Sequence, residues 1–182
     1  KDGKNMLLSH GKLNDNARRA IAGLMDLAPS LTAFGNKIPT SYFRLVPHQE
    51  APTNICWGMS NRSALVRVPL GWTSGVDMGH IANPLEEEVP YEERGSVKQT
   101  FEIRSGDGSA DVYQYIAALC VACRHGFEMK DALNVAAATF VDGDINDPAH
   151  AERLAELKQL PDSCAASADC LLQQRAFYEE QH

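Results

Sequence analysis

Residues 41–72 carry an unusual amount of positive charge for a stretch made mainly of apolar and small residues. The stretch reads SYFRLVPHQEAPTNICWGMSNRSALVRVPLGW and contains Arg44, Arg62 and Arg67 with one acid, Glu50. An arginine buried without a partner costs several kcal/mol, so such residues are usually paired, solvated or ready to bind an anion. A fold for this chain must therefore provide each arginine with an acid, with water or with an anionic ligand.

The composition of the whole chain makes this positive charge a local feature. The 182 residues include 17 basic and 24 acidic side chains, for a net charge of −7. Nucleic acids and anionic membranes select basic surfaces, so we expect neither as a partner. An apolar content of 44% without a membrane-length apolar run suits one soluble, cytoplasmic domain. The five cysteines form no disulfide framework, and we expect them to be reduced.

Hydrophobic periodicity predicts a helix near the start of the chain. Apolar residues repeat with helical spacing over about 15–28, where Asn14 is suited to be the N-cap and Pro29 to end the helix. From 31 to 69, frequent glycines and prolines favour loops and strands instead. The β-prone pieces of this region are 53–57 and 63–68.

A strand followed by a helix is predicted after residue 96. The strand VKQTFEIR places Glu102 and Arg104 two residues apart, and therefore on one face. The helix after it has Ser109 as a candidate N-cap and Gly126 as a candidate end. Its predicted apolar face consists of Val112, Tyr115, Ile116, Leu119, Cys120 and Cys123. We interpret the Cys-x-x-Cys pair on this face as core packing, because no second pair stands at metal-binding spacing.

The remaining segments divide into an insertion and a helical tail. Residues 73–99 are rich in proline, glycine and clustered glutamate, and we predict an exposed insertion. The later part of the chain is predicted to contain an apolar stretch at 130–140, a capped turn at 142–148 and helices at about 148–159 and 166–180.

Three motifs in order resemble the catalytic domain of the glutamine synthetase family. They are SYFRLVPHQEAP, then NRSALVRVP, and then a Glu-x-Arg strand that leads through an aspartate-containing turn into a long helix. The likeness extends from KDGKNMLL to YQYIAALCVACRHG, or about residues 1–126. Because members of the family are much longer, the chain looks like a carboxy-terminal fragment.

The resemblance implies an α+β fold, in which an antiparallel sheet flanked by helices forms part of a guanido-kinase-like catalytic domain. Residues 1–147 would be the carboxy-terminal part of that domain, and 148–182 a helical tail. Glutamine synthetases use ATP to phosphorylate the γ-carboxylate of glutamate, and ammonia then displaces the phosphate. The implied cofactors are ATP and Mg²⁺ or Mn²⁺, the implied partners are glutamate and ammonia, and the intact enzymes are homo-oligomeric rings.

The resemblance also assigns roles to individual residues. Arg62 and Arg67 match arginines that bind the ATP phosphates and the transferring phosphoryl group, so Arg62 would be catalytic. Glutamate carboxylates would be bound by two further arginines, Arg44 and Arg104. The expected metal ligand is Glu102, and Glu50 matches a catalytic acid on a mobile flap that covers bound glutamate.

Departures from the family pattern leave two alternatives open. Thr100 stands where relatives have an arginine, and the turn RSGDGSADVY lacks both prolines of its counterpart. A γ-glutamyl ligase for polyamines or other amines is one alternative, and a non-catalytic structural or regulatory relative is the other. In every case, we expect the 182-residue chain alone to be inactive, because most metal ligands of the family lie upstream of the matching region.

Overall fold

A computed structural model describes residues 5–9, 12–46, 51–69, 78–87, 99–145 and 147–179. Within these ranges, helices and short strands form a mixed α+β structure, which confirms the predicted fold class. Glu50 and most of the predicted insertion lie outside the described residues. No described helix has both the length and the apolar character that crossing a membrane requires.

The first two helices are separated by a single residue. Helix α1 spans Asp15–Asp26, and the side chain of Asn14 accepts a hydrogen bond from the Ala17 amide at 3.1 Å, which confirms the predicted N-cap. Helix α2 spans Ala28–Gly35. Pro29 therefore lies in the first turn of α2, where proline needs no amide hydrogen, and does not end a helix as predicted.

Two small sheets accompany the helices. Strands β1 (Leu8–Ser9) and β2 (Lys12–Leu13) form an antiparallel pair. The second sheet has the order β3-β4-β5 and consists of Trp57–Met59, Val66–Val68 and Glu102–Ile103.

The second sheet is mixed. Its β4–β5 pair is antiparallel, as predicted, whereas β3 and β4 are parallel, so the prediction of a purely antiparallel sheet is wrong at this pair. Parallel pairing is possible here because β3 and β4 have only three residues each. A short loop is therefore long enough to bring the chain back to the level at which β3 began.

Glycines permit a close contact between two helices. Helix α4 spans Val112–Glu128 and packs against α1. A Cβ atom at Gly126 would lie 1.9 Å from the carbonyl oxygen of Arg19, and one at Gly23 would lie 1.9 Å from that of Ala122. Gly126 thus serves backbone packing, and the prediction that it ends the helix is wrong. The N-cap is Asp111, which accepts bonds from two amides of the first turn, and not the predicted Ser109.

The buried side of α4 differs from the predicted apolar face. Its fully buried residues are Ala118, Ala122 and Gly126. In contrast, Val112 is 63% exposed and Ile116 is 55% exposed. The Cys120 thiol is also exposed, so interpreting it as core packing is wrong, whereas Cys123 packs partly against the core. All five cysteines are free thiols, as expected.

The remaining helices are short. They are α3 (Met78–Ala82), α5 (Ala132–Thr139), a 3-10 turn (Pro148–His150), α6 (Ala151–Glu156), α7 (Cys164–Gln173) and α8 (Ala176–Glu179). The last two lie against α2: the hydroxyls of Thr32 and Ser167 are 2.5 Å apart, and those of Ser30 and Tyr178 are 2.7 Å apart. Residues 79 and 81–87 are exposed, and the insertion at 73–99 stays a prediction.

Candidate functional site

The antiparallel pair β4–β5 separates a core face from a charged face. Val66 and Val68 are fully buried on the core side. Arg67 lies between them in sequence and therefore points to the opposite side, where Glu102 is its cross-strand partner. The Nε atom of Arg67 lies 2.8 Å from Glu102 Oε1, although its N–H is not directed at that oxygen. The contact is thus an ion pair and not a directed hydrogen bond.

Arg104 joins the same charged face just after β5. Its Nε atom lies 3.8 Å from Glu102 Oε1, which confirms that these two side chains share a face. Its Nη1 group donates to the carbonyl oxygens of Arg62 and Ala64. These contacts fix Arg104 against the loop that precedes β4.

That loop contains the NRSA motif, and it holds Arg62 at the surface. Asn61 is buried; its side-chain amide donates to the carbonyls of Val141 and Gly143, while its Oδ1 accepts from the amide and hydroxyl of Ser63. Ser63 Oγ in turn accepts from the amide of residue 145 at 2.9 Å. Arg62 itself is exposed. Asn61 and Ser63 were not identified from the sequence as the residues that hold this loop. The sequence signal for them is that both are short polar residues and that they flank Arg62.

Arg44 approaches the charged face from a different element. It follows a 3-10 turn, Pro39–Phe43, and is half-buried. Its two Nη groups donate to the carbonyl of Ser105 at 3.3 Å, and Nη2 also donates to that of Gly106 at 2.9 Å. The turn after β5 therefore brings Arg44 towards Arg104.

The electrostatic balance of this arginine cluster, defined as Arg44, Arg62, Arg67 and Arg104, favours an anion. Burial lowers the pKa of Arg104; the positive charge of Arg67 lowers it further, Glu102 partly opposes this, and Arg62 and Arg44 add to the lowering. Arginine nevertheless stays protonated at neutral pH. Within the described ranges, the ion pairs of the cluster involve one carboxylate, that of Glu102. An anionic group bound here would relieve the repulsion among the guanidinium groups.

A second polar network stabilises the turn next to the cluster. The Asp107 carboxylate accepts hydrogen bonds from the amide and hydroxyl of Ser109 at 2.8 and 2.6 Å and from Asn36 Nδ2 at 3.1 Å. Burial opposes its ionisation, but the bonds from Ser109, Ser41 and Asn36 outweigh burial and lower the pKa of Asp107 to about 2. Reasoning from sequence noted Asp107 in the turn without giving it a role.

The described residues do not by themselves form a metal centre. No group of three or more metal-ligating side chains occurs among the residues that the structure describes. Glu102 offers one hard carboxylate oxygen of the kind that Mg²⁺ or Mn²⁺ binds, and that carboxylate already contacts two arginines. Further ligands would have to come from outside the described ranges. The predicted flap acid, Glu50, also lies outside them.

A separate cavity of about 470 Å³ lies between α2 and α7. Its walls include Ala33, Leu171 and Leu172, and none of the predicted site residues lines it. The arginine cluster is therefore distinct from this cavity.

Comparison with known proteins relates this chain to one enzyme family. The family model "Glutamine synthetase, catalytic domain" matches residues 1–84. A glutamine synthetase of Frankia alni is 33% identical, over 99% of this chain and 33% of the relative. That of Pyrococcus abyssi is 35% identical, over 71% of this chain and 24% of the relative. The chain thus spans about a quarter to a third of these relatives.

A solved structure shows the same fold. The crystal structure of a novel glutamine synthase homolog superposes with a TM-score of 0.65 at 21% identity, and the match covers 97% of this chain and 34% of that one. At this identity, the likeness concerns the fold alone. It extends beyond residue 84, where the match to the family model ends.

Proposed function

We propose that this chain, which the comparisons relate to the glutamine synthetase family, is part of an ATP-dependent ligase that forms glutamine from glutamate and ammonia. The observation that carries the proposal is the convergence of Arg44, Arg62 and Arg67 on Arg104, with Glu102 in contact with Arg67 and Arg104. Phosphoryl transfer depends mainly on positioning and on neutralising negative oxygens. The excess of guanidinium groups over carboxylates in the cluster supports that kind of chemistry.

We assign the arginines to two kinds of oxyanion. Arg62 and Arg67 would bind the ATP phosphates and the transferring phosphoryl group, because guanidinium groups match the geometry of phosphate oxygens. Arg62 is exposed and thus accessible to a ligand, while Arg67 is held by Glu102. Arg44 and Arg104 would hold carboxylate oxygens of glutamate. Charge on γ-glutamyl phosphate would thus be balanced by fixed cations.

A divalent cation would complete the charge balance. Glu102 would be one of its ligands, and the remaining ligands would come from outside the described residues. When bound, Mg²⁺ or Mn²⁺ neutralises phosphate oxygens in phosphoryl transfer. The role of this chain's own residues is to hold and orient the anions beside that position.

The proposal treats the chain as one part of a longer enzyme. Since it spans about a third of its relatives or less, we expect the isolated 182-residue chain to release no phosphate from ATP. Homo-oligomeric rings with sites between neighbouring subunits are part of this proposal. Glu50 is proposed to close over glutamate and exclude water. Glu50→Ala would then increase the phosphate released per glutamine formed, and an unchanged ratio would contradict the role.

The test is a coupled assay of the longer protein that carries this sequence. With ATP, glutamate and ammonia, phosphate and glutamine should appear in equal amounts. Arg62→Ala should lower turnover about 100-fold, and this loss should be far larger than the loss of ATP affinity. The matched control is Arg124→Ala, which removes an arginine paired with Glu128 on the exposed side of α4. A wild-type protein that consumes no ATP would contradict the proposal and favour the non-catalytic relative.

A γ-glutamyl ligase for larger amines is the second candidate. It is favoured by the turn at residues 105–111, where the chain departs from the family pattern. That turn contacts Arg44 and so lies beside the proposed glutamate position. Replacing ammonia by a polyamine in the same assay separates the two candidates: faster phosphate release with the polyamine selects the second.

A further inference from the structure

We propose that Asp107 is a positioning residue that fixes Arg44 for binding the carboxylate of glutamate. This inference rests on the proposed function, because it concerns the same arginine cluster. Asp107 has no hydrogen bond to Arg44 among the described contacts and acts through the turn between them.

Backbone carbonyl groups hold Arg44 in place. Its described hydrogen-bond acceptors are the carbonyl oxygens of Ser105 and Gly106. Carbonyl groups orient a guanidinium without cancelling its charge, whereas a carboxylate would both orient and neutralise it. Arg44 is thus directed by the backbone and keeps its charge for an anionic ligand. Its direction depends on where these two carbonyls stand.

The carbonyls that orient Arg44 are held in turn by hydrogen bonds that involve Asn36 and Asp107. Asn36 is fully buried, and its Nδ2 group donates both to the Ser105 carbonyl at 2.8 Å and to the Asp107 carboxylate at 3.1 Å. The Ser105 oxygen therefore accepts from Asn36 and Arg44 together. The Asp107 amide also donates to the carbonyl of Gly35 at 3.0 Å. Asp107 thereby links the end of α2 to the turn that orients Arg44.

Tight packing against Tyr115 restricts the movement of this turn. A Cβ atom at Gly106 would lie 2.6 Å from the ring of Tyr115, and one at Gly35 would lie 2.9 Å from the same ring. The ring thus packs against both glycines. A shift of the turn would therefore require Tyr115 to move. Because of this tight packing, loss of the Asp107 bonds should misdirect Arg44 by a small displacement and leave the fold intact.

The variant Asp107→Asn isolates the proposed role. An asparagine can keep the acceptor facing Ser109, but its Nδ2 group would face the Nδ2 donor of Asn36, so the side-chain bond to Asn36 is lost while the backbone bond to Gly35 remains. The matched control is Asp162→Asn, which removes the same charge at an exposed position. Ser109→Ala is a milder variant that removes one bond to the carboxylate.

The experiment measures KM for glutamate and for ATP in the longer protein. Asp107→Asn should raise KM for glutamate about 10-fold and leave KM for ATP within about twofold, and Ser109→Ala should raise KM for glutamate about threefold. The control should match the wild type. A purely structural role would reduce the active fraction or affect both KM values alike, and either result overturns the inference, as does an unchanged KM in both variants. If the wild type makes no γ-glutamyl product, the proposed function fails and the inference fails with it.

Discussion

Arg67 and Glu102 are direct cross-strand partners in the antiparallel pair β4–β5, and Arg67 Nε lies 2.8 Å from Glu102 Oε1. The same carboxylate lies 3.8 Å from Arg104 Nε. One acid thus organises two arginines on a face whose opposite side is buried core. Changing Glu102 should therefore affect both the arginines and any cation that binds beside them.

We predict that Glu102→Gln weakens divalent-cation binding about 10-fold or more in the longer protein. The neutral amide is a poorer ligand for Mn²⁺ and also removes the negative partner that Arg67 and Arg104 share among the described residues. Titration of Mn²⁺ followed by electron paramagnetic resonance measures the change. Glu156→Gln, in an exposed pair with Arg153, is the control. Equal Mn²⁺ affinity in the wild type and both variants would contradict the assignment.

The two glycines between α1 and α4 make a direct prediction about stability. Gly126→Ala should lower the free energy of unfolding by roughly 2 kcal/mol, because the new methyl group would meet the Arg19 backbone. Gly108→Ala is the matched control, since a Cβ there would meet nothing within 4 Å and should change stability by no more than about 0.5 kcal/mol. Urea unfolding followed by circular dichroism measures both. Equal free energies of unfolding for the two variants would contradict the prediction, because the helices would then accommodate the methyl group at little cost.

Neighbouring residues of the NRSA motif should have separable effects. Asn61→Ala should lower the free energy of unfolding by about 2 kcal/mol, because the buried bond to the Val141 carbonyl and the part-buried bond to the Gly143 carbonyl lose their donor. Arg62→Ala should leave stability nearly unchanged, because the exposed side chain is removed and the carbonyl that accepts from Arg104 remains. Thermal unfolding of both variants is the measurement. A large loss of stability in Arg62→Ala would assign that side chain a structural role.

Asp107 should make stability depend on pH under acidic conditions. Its pKa is about 2 in the folded protein and is 3.8 ordinarily, so between these values the unfolded chain binds more protons. The stabilisation is therefore fully present above about pH 4 and is lost as the pH falls towards 2. The difference in unfolding free energy between the wild type and Asp107→Asn should narrow over this window. A difference that stays constant from pH 5 to 2.5 would be inconsistent with the lowered pKa.

Some local features were predictable because they depend on neighbours along the chain. Asn14 caps α1 as predicted, since the capping bond joins residues three apart. Glu102 and Arg104 share a face because strand geometry alternates side chains. The family resemblance, which was carried by short motifs around the arginines, was confirmed by the comparisons. Each of these inferences needed only a short window of sequence.

Tertiary packing decided the features that join distant segments. The pairing of Arg67 with Glu102 depends on strand register across 34 intervening residues, including the predicted insertion. On α4, apolar periodicity selected the large residues, whereas the buried side consists of Ala118, Ala122 and Gly126. Small residues occupy the buried side because they let the two helix backbones approach closely. That close packing stabilises the domain more than the burial of one larger side chain would. The sequence by itself thus determined local geometry and family, and only the packed structure decided which distant residues meet.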